Sequence, residues 1–495
     1  MPTVTFSAVL SGSDASIVRV ETELARGLPY FVFVGLADTT IYEARDRIKV
    51  AIQSSGFDFP RFRKVVNLAP SNIRKRGTQF DLPVAIGLLV ASKQLVSREI
   101  LESSVFVGEL GLDGTIRGVP GTLSMVMAAR EAGFKRIFVG DDRAPEANLV
   151  SGIQVFAPRN LKELVSYIKG DVALSESRNL MVKSGVRKPG IPIKGHAVVQ
   201  RALKIASLFR HHIVLVGPPG MGKSLLARSA AGLMPPLNSD EICEVVRIQS
   251  AFDNHPCGLK VFRPFREVSH TVSVSTLTGG GAKLKAGEMS LAHKGILMLD
   301  DLHNFSRAHI EALIKPMEEK SVLVCAGRKK VRMPADFMMI ATMNPCLCGK
   351  RSSVSQVECS CGEFSLRKFS SKFPAAFWDR VDMVLEVPAL DEDDICADDV
   401  LDSCANSDDA LERQHRRLAN CSANYNGELT ISDVGHLCKM SMRGDDLMKK
   451  ALNAKFVSGR GYFNTIKVAQ SIADLEGHNE IEPQDVAEAL SYRSR

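Results

Sequence analysis

The chain has 495 residues, 45% of them apolar and 24% charged. That composition excludes a fibrous or wholly disordered protein, and the length predicts about three domains, each able to bury a core. Lys plus Arg is 63 and Asp plus Glu is 56, so the net charge is +7, which permits a polyanionic partner without demanding one.

In chain order, Tyr30–Val34, Val65–Leu68, Ser104–Val107 and Arg136–Val139 read as strands, and Asp81–Ser92 and Leu123–Ala132 as helices. These elements make residues 1–170 a first domain. Residues 171–195, rich in Ser, Lys, Gly and Pro and ending Lys188-Pro189-Gly190-Ile191-Pro192, read as a linker. Residues 196–390 alternate strand and helix again, the pattern of a parallel sheet covered by helices. Residues 391–495 are polar and helical. The longest apolar run, Leu82 to Ser92, falls short of the roughly 18–20 residues of a membrane span. With no signal-like start, the expected location is cytoplasmic.

The sharpest motif follows the strand His211–Val216: Gly217-Pro218-Pro219-Gly220-Met221-Gly222-Lys223-Ser224. Glycines allow a loop tight enough to aim backbone N–H groups at a polyphosphate. Lys223 supplies charge at the terminal phosphates, and the Ser224 hydroxyl suits Mg²⁺. Leu225–Leu233 then reads as a helix whose positive end faces the phosphates. A second apolar strand, Gly295–Leu299, ends in Asp300-Asp301. Asp300 is the candidate for the Mg²⁺ shell and Asp301 for polarising a water, although the pair would also suit a cap on a helix predicted over Phe305–Glu318. A third strand, Phe337–Met343, delivers Asn344, an amide suited to orienting a water and sensing a γ-phosphate.

All eleven cysteines lie at or beyond Cys243. Cys346-x-Cys348 and Cys359-x-Cys361 form two pairs able to close a tetrahedral Zn²⁺ site. The other seven are expected to be buried apolar residues.

These motifs make the chain resemble the ComM/YifB family of Mg-chelatase-like AAA+ ATPases. Gly217–Ser224, Arg263-Pro264-Phe265-Arg266, Gly279-Gly280-Gly281, Ala286–His293, Asn344–Gly349, Asp379-Arg380-Val381-Asp382 and Ala469–Gly477 carry the likeness. Val34-Gly35-Leu36, Phe80-Asp81-Leu82-Pro83 and Gly108-Glu109-Leu110 extend it to the first domain. The resemblance implies a Lon-protease-like α+β N-terminal domain, a P-loop core and a C-terminal helical lid. It further implies ATP and Mg²⁺ as ligands, a homo-oligomeric ring, a hexamer, and a DNA translocase that migrates branches. Arg380 takes the position of an arginine finger supplied by a neighbour, and Arg460 that of the chain's own lid arginine.

The chain departs from the family in three places. It has Asp301 where relatives carry Glu, which shortens the reach by about 1.5 Å. Ser269-His270 replaces a His-His pair, and Pro374-Ala375-Ala376 replaces Ser-Gly-Pro. Two rival readings follow: a motor for metal insertion by a chelatase complex, or a scaffold that binds nucleotide and hydrolyses little. In the first domain, Asp81 occupies the place of the Lon nucleophilic serine and Leu123 that of its lysine, so no protease is expected. Ser71, Ser92 and Ser124 read as ordinary helix or cap residues. Two basic clusters, Arg61-Phe62-Arg63-Lys64 and Arg74-Lys75-Arg76, are candidates for phosphate contact.

Overall fold

The computed structural model describes residues 2–36, 38–96, 98–177, 182–185, 195–252, 260–281, 284–326, 329–351, 359–388 and 407–493. They form two compact units: Met1–Ser184 with Asn238–Val261, and Gly185–Leu237 with Phe262–Arg495. The Lys188–Pro192 part of the linker and the boundary read at 390/391 lie outside the described residues.

The first unit opens on a hairpin that periodicity did not reveal. Thr3–Ser11 and Asp14–Ala25 pair antiparallel down to Ser11↔Asp14. The two-residue turn between them begins at Gly12, whose φ of 75° suits the turns that match strand twist. Arg63–Ala69 adds antiparallel, and Phe31–Val34 closes the sheet in parallel. Ser104–Phe106, Arg136–Phe138 and Gln154–Phe156 make a separate parallel sheet. The helix Asp81–Ala91 is apolar on all sides and is buried from Asp81 to Leu89. Its Leu82, Ile86 and Leu89 share a core with Val18, Val20, Leu68 and Phe106. Each such side chain contributes about 1.5–3 kcal/mol when removed from water. A further helix, Ser239–Phe252, comes from inside the stretch read as the 196–390 core yet belongs to this unit. It buries Ile242, Val245, Val246 and Ile248. Gly121 N–H donates to Ser250 O at 2.6 Å, and Ser250 Oγ donates to Glu146 Oε1 at 2.7 Å.

The second unit is built on five parallel strands in the order Phe265–Val268, Ile296–Leu299, Met338–Met343, Ile213–Val216, Met383–Glu386. All residues of the second and third of these are buried, as expected for a parallel sheet covered on both faces. The strand order and direction matter for the site. The segments leaving the strands carboxyl-terminally (Gly217, Asp300, Asn344) share one edge of the sheet. The segments entering them (His212, Asp382) share the other. Five C-terminal helices, Ser407–Leu418, Ile431–Leu437, Met442–Asn453, Gly459–Glu476 and Pro483–Ser491, pack into the same core as the sheet. Ile472, Ile481 and Val486 there join Ile213, Leu215 and Met383. No helix among the described residues is long and apolar enough to cross a membrane.

Candidate functional site

The Ile213–Val216 strand ends where a side chain would not fit: a Cβ on Gly217 would meet Val387 O at 2.7 Å. Gly220 and Gly222 then take φ of 85° and 73°, the left-handed region that glycine enters without steric cost. The helix after the loop is Lys223–Ser229, shorter than the Leu225–Leu233 read from periodicity. Lys223 is nearly buried, and its Nζ donates to Gly217 O at 2.8 Å, Pro218 O at 2.6 Å and Asn344 Oδ1 at 3.2 Å. Burial pulls this ammonium below the usual lysine range, and Asp301 and Asp300 oppose the shift. All three of its donors are spent on uncharged oxygens. Anionic phosphate oxygens are stronger acceptors than these.

The acidic strand end joins the same cluster. Ser224 Oγ donates to Asp300 Oδ1 at 2.7 Å, and Thr342 Oγ1 donates to that same oxygen at 2.6 Å. The hydroxyl of Thr342 also accepts from Asp301 N–H at 3.0 Å, so one side chain ties the two acidic positions to the neighbouring strand. Asp301 is exposed and sits in the left-handed region at φ 54°. It stands at the N-terminus of a short 3₁₀ turn, Leu302–Asn304, but its side chain makes no capping bond, and the longer helix Arg307–Glu319 begins after Ser306. The carboxylate is therefore available to the pocket rather than spent on a cap.

Lys223, Ser224, Asp300, Asp301 and Asn344, all singled out in the sequence, thus meet at one sheet edge. His303 joins them without having been singled out. Its Nδ1 lies 3.3 Å from Asn344 N and its Nε2 lies 3.3 Å from Asn344 Nδ2. Burial pulls its pKa down, Asp301 opposes this, and Lys223 and Lys372 add to it. No motif marks this histidine; only its position, three residues past Asp300, could have drawn attention to it. Thr342 was equally silent.

Arg380 and Arg460 are placed elsewhere. Arg380 precedes the Met383–Glu386 strand, and Met383 pairs with Ile213 at the edge opposite the phosphate loop. The separation is one strand, on the order of 13 Å. The helix Arg307–Glu319 runs back from the acidic edge and delivers Glu318 there. Both Arg380 Nη2 and Arg460 Nη2 donate to the Glu318 carboxylate, the latter at 2.7 Å. These two bonds hold Glu318 below the usual carboxylate range. Asn464 Nδ2 donates to Asp379 O at 2.9 Å, fastening the Gly459–Glu476 helix to the same corner. Arg460, expected to complete its own chain's site, sits instead beside Arg380.

The cysteine pairs do converge. Sγ of Cys346, Cys348, Cys359 and Cys361 all lie within 4.8 Å of one another. Much of the connecting Lys350–Glu358 loop lies outside the described residues. The expectation for the other cysteines fails: Cys325 is exposed, and Cys243, Cys421 and Cys438 are only partly covered. Cys325 lies in the Ser321–Ala326 strand of a two-stranded hairpin, where alternate residues face outward. Cys257, Cys396 and Cys404 lie outside the described residues.

Three family models cover most of the chain. "Magnesium chelatase, subunit ChlI" matches residues 191–395, "Subunit ChlI of Mg-chelatase" matches 20–143, and "Magnesium chelatase, subunit ChlI C-terminal" matches 405–493. Competence protein ComM of Haemophilus influenzae is 32% identical over 99% of this chain and 97% of its own length. YifB of Escherichia coli is 33% identical over 98% and 95%. A stretch of 134 residues is 28% identical to the DNA helicase MCM8 of Rattus norvegicus, covering 27% of this chain and 14% of that protein. The chain belongs to the Mg-chelatase-like ComM/YifB family.

Within that family's motifs, several residues prove to be architectural. Arg266, in the Arg-Pro-Phe-Arg run, is held by Glu288 through bonds of 2.6 and 2.9 Å. Arg263 is buried and donates to Pro235 O and Lys294 O at 2.6 Å and to Tyr425 Oη at 2.7 Å. In the first unit Asp81 is buried, with both carboxylate oxygens on Arg47 at 2.9 and 3.2 Å. Burial pushes its pKa up to about 6 while Arg47 opposes. Leu123 is fully buried. Ser124 Oγ donates to Ser13 O, and Ser92 Oγ to Leu89 O. The basic clusters are weaker than their sequence suggests. Lys64 Nζ is turned inward onto Pro60 O and Phe62 O at 2.7 and 2.8 Å, and Lys75 Nζ onto Pro70 O. Burial holds both ammonium groups below the usual range. Arg61, Arg63 and Arg74 remain exposed.

Proposed function

We propose that this ComM/YifB relative is an ATPase of the AAA+ kind that works as a ring on DNA. The observation that carries the reading is the convergence of Lys223, Ser224, Asp300 and Asn344 on one edge of a parallel sheet, beneath a loop whose glycines leave its backbone accessible. That set suits ATP with Mg²⁺. Gly217 to Lys223 would hold the phosphates, and Ser224 and Asp300 the metal, which neutralises phosphate charge when bound. Asp301 and Asn344 would position the attacking water, with His303 buttressing the amide. Arg380 and Arg460 face away from their own phosphate loop, so in this reading they serve the loop of the next subunit, where guanidinium charge stabilises the transferring group. The ComM relative and the MCM8 stretch support DNA as the polymer, and a hexamer is the ring size we adopt. The first unit is taken as a Lon-like, non-proteolytic domain, and residues 391–495 as the lid.

A measurement of ATP hydrolysis by the full chain, with and without single- and double-stranded DNA, tests this. The expected result is hydrolysis stimulated by DNA and lost in Lys223→Ala. A protein that hydrolyses no ATP under either condition would overturn it. The exposed, shortened Asp301 favours one second reading, a nucleotide-binding scaffold with little turnover, for which the same assay would show little hydrolysis and no DNA response while a fluorescent ATP analogue still bound tightly.

A further inference from the structure

The cysteine cluster touches the phosphate loop. Gly349, directly after Cys348, has φ 74°, and a Cβ there would meet Pro219 Cδ at 2.7 Å. The first thiol pair therefore belongs to a turn seated on the phosphate loop. It also begins two residues after Asn344, the amide bonded to Lys223. Cys346 itself is fully buried. The second pair leads through Gly362 into the helix Glu363–Ser370. From that helix and its end, Phe369 places its ring 6.4 Å from the His303 ring, and Lys372 Nζ donates to His303 O at 3.1 Å. The first pair thus sits beside the phosphate loop, and the second is tied to the other side of the pocket through the 363–370 helix.

The spacing of the sulfurs is close to that of a tetrahedral four-thiolate metal site, for which Zn²⁺ is the common occupant. Zn²⁺ with bonds of about 2.3 Å sets neighbouring thiolates about 3.8 Å apart in a tetrahedron. Cys346 and Cys348 are 3.3 Å apart, and Cys359 lies 3.6 Å from each. Beyond one another, these thiols meet backbone N–H groups, those of Lys350 and Ser360 at Cys348 among them, donors that suit thiolates; a shared cation gives four such groups a reason to stay together.

We propose that one Zn²⁺ ion bound by Cys346, Cys348, Cys359 and Cys361 braces the nucleotide pocket, so that nucleotide affinity depends on the metal. The proposal rests on the nucleotide reading above. Zinc fixes the 346–349 turn, which holds Pro219 and Asn344. It also anchors the start of the 363–370 helix, whose far end carries the Phe369 and Lys372 contacts to His303. Removing the ion frees both sides of the pocket while leaving Lys223, Ser224 and Asp300 intact.

The test uses the full chain, elemental analysis, and a fluorescent non-hydrolysable ATP analogue. About one zinc per chain is expected, with at least a tenfold loss of analogue affinity after chelation and recovery on adding one equivalent of Zn²⁺. Gly349→Ala should keep its zinc yet bind the analogue several-fold more weakly, because the new methyl displaces Pro219. Zinc well below half an equivalent, unchanged in Cys359→Ser, would overturn the metal site. Full zinc with affinity unchanged by chelation would overturn the brace. An untreated protein that holds zinc but never binds the analogue would instead remove the nucleotide reading beneath it.

Discussion

Asp301 combines a short side chain with a backbone that few residues accept. At φ 54° a non-glycine residue is strained, and Asp is among those that tolerate it best. Asp301→Glu would extend the carboxylate toward a water but give up some of that tolerance, at about 1 kcal/mol. The carboxylate is exposed, so reach should win. We expect kcat to rise roughly tenfold with KM nearly constant, since a base that touches only the water stabilises the transition state selectively. Steady-state kinetics beside thermal unfolding checks this; equal or lower kcat at unchanged stability would show that the site has adapted to Asp. His212, at the opposite edge, offers a test in pH. Its Nδ1 accepts from Met339 N–H at 3.0 Å, and burial pushes its pKa down to about 4, against the pull of Asp382. The unfolded imidazole takes up a proton near pH 6.5 and the folded one does not, so stability falls as pH drops from about 6.5 toward 4. At pH 5 the loss is about 2 kcal/mol. Thermal unfolding of wild type and His212→Gln at pH 7 and 5 isolates it; equal drops in both proteins would refute the assignment.

Local pattern carried the elements that build the phosphate edge. A strand running into Gly-rich sequence and Lys-Ser needs only neighbours in sequence, as does a strand ending in Asp-Asp. What the pattern did not carry depends on chain direction and on distant partners. That Arg380 and Arg460 share Glu318 requires knowing that the Arg307–Glu319 helix returns across a parallel sheet. That Lys64 and Lys75 turn inward requires the carbonyls of Pro60 and Pro70. The Thr3–Ala25 hairpin and the Thr39–Ser54 helix were missed because half-buried, polar-rich elements give faint periodicity. Glu318 now becomes an element-scale prediction. One carboxylate holds two like-charged guanidiniums together, and Glu318→Gln removes the charge that offsets their repulsion. The pair should splay, lowering kcat roughly tenfold, since displacements of about 1 Å cost up to a hundredfold. Nucleotide affinity, measured with the same analogue, should stay within twofold. A selective loss of affinity would mean that Glu318 acts on its own chain's pocket.

At the scale of the proposed ring, the phosphate loop and Arg380 lie at opposite edges of one sheet, so a site that uses both would need two chains. Lys223→Ala and Arg380→Ala should each be inactive alone. Mixed in equal amounts and reassembled, they should regain about a quarter of wild-type hydrolysis, because one interface in four then joins an intact loop to an intact arginine. No recovery from a mixture shown to co-assemble would argue against sharing across chains. The chain's own path through its two units has a different kind of consequence. Because Ser239–Phe252 leaves the sheet-bearing unit to join the first one, the polypeptide changes units at residue 184, at 237 and again at 261. No single scissile point can separate them. A shortened protein starting at residue 195 would still carry Ile242, Val245, Val246 and Ile248, now stripped of the Thr122–Glu131 helix they pack near. Such a fragment would present a greasy stripe to solvent and aggregate, whatever the integrity of its phosphate loop. A clean excision has to remove residues 238–261 as well and rejoin the ends.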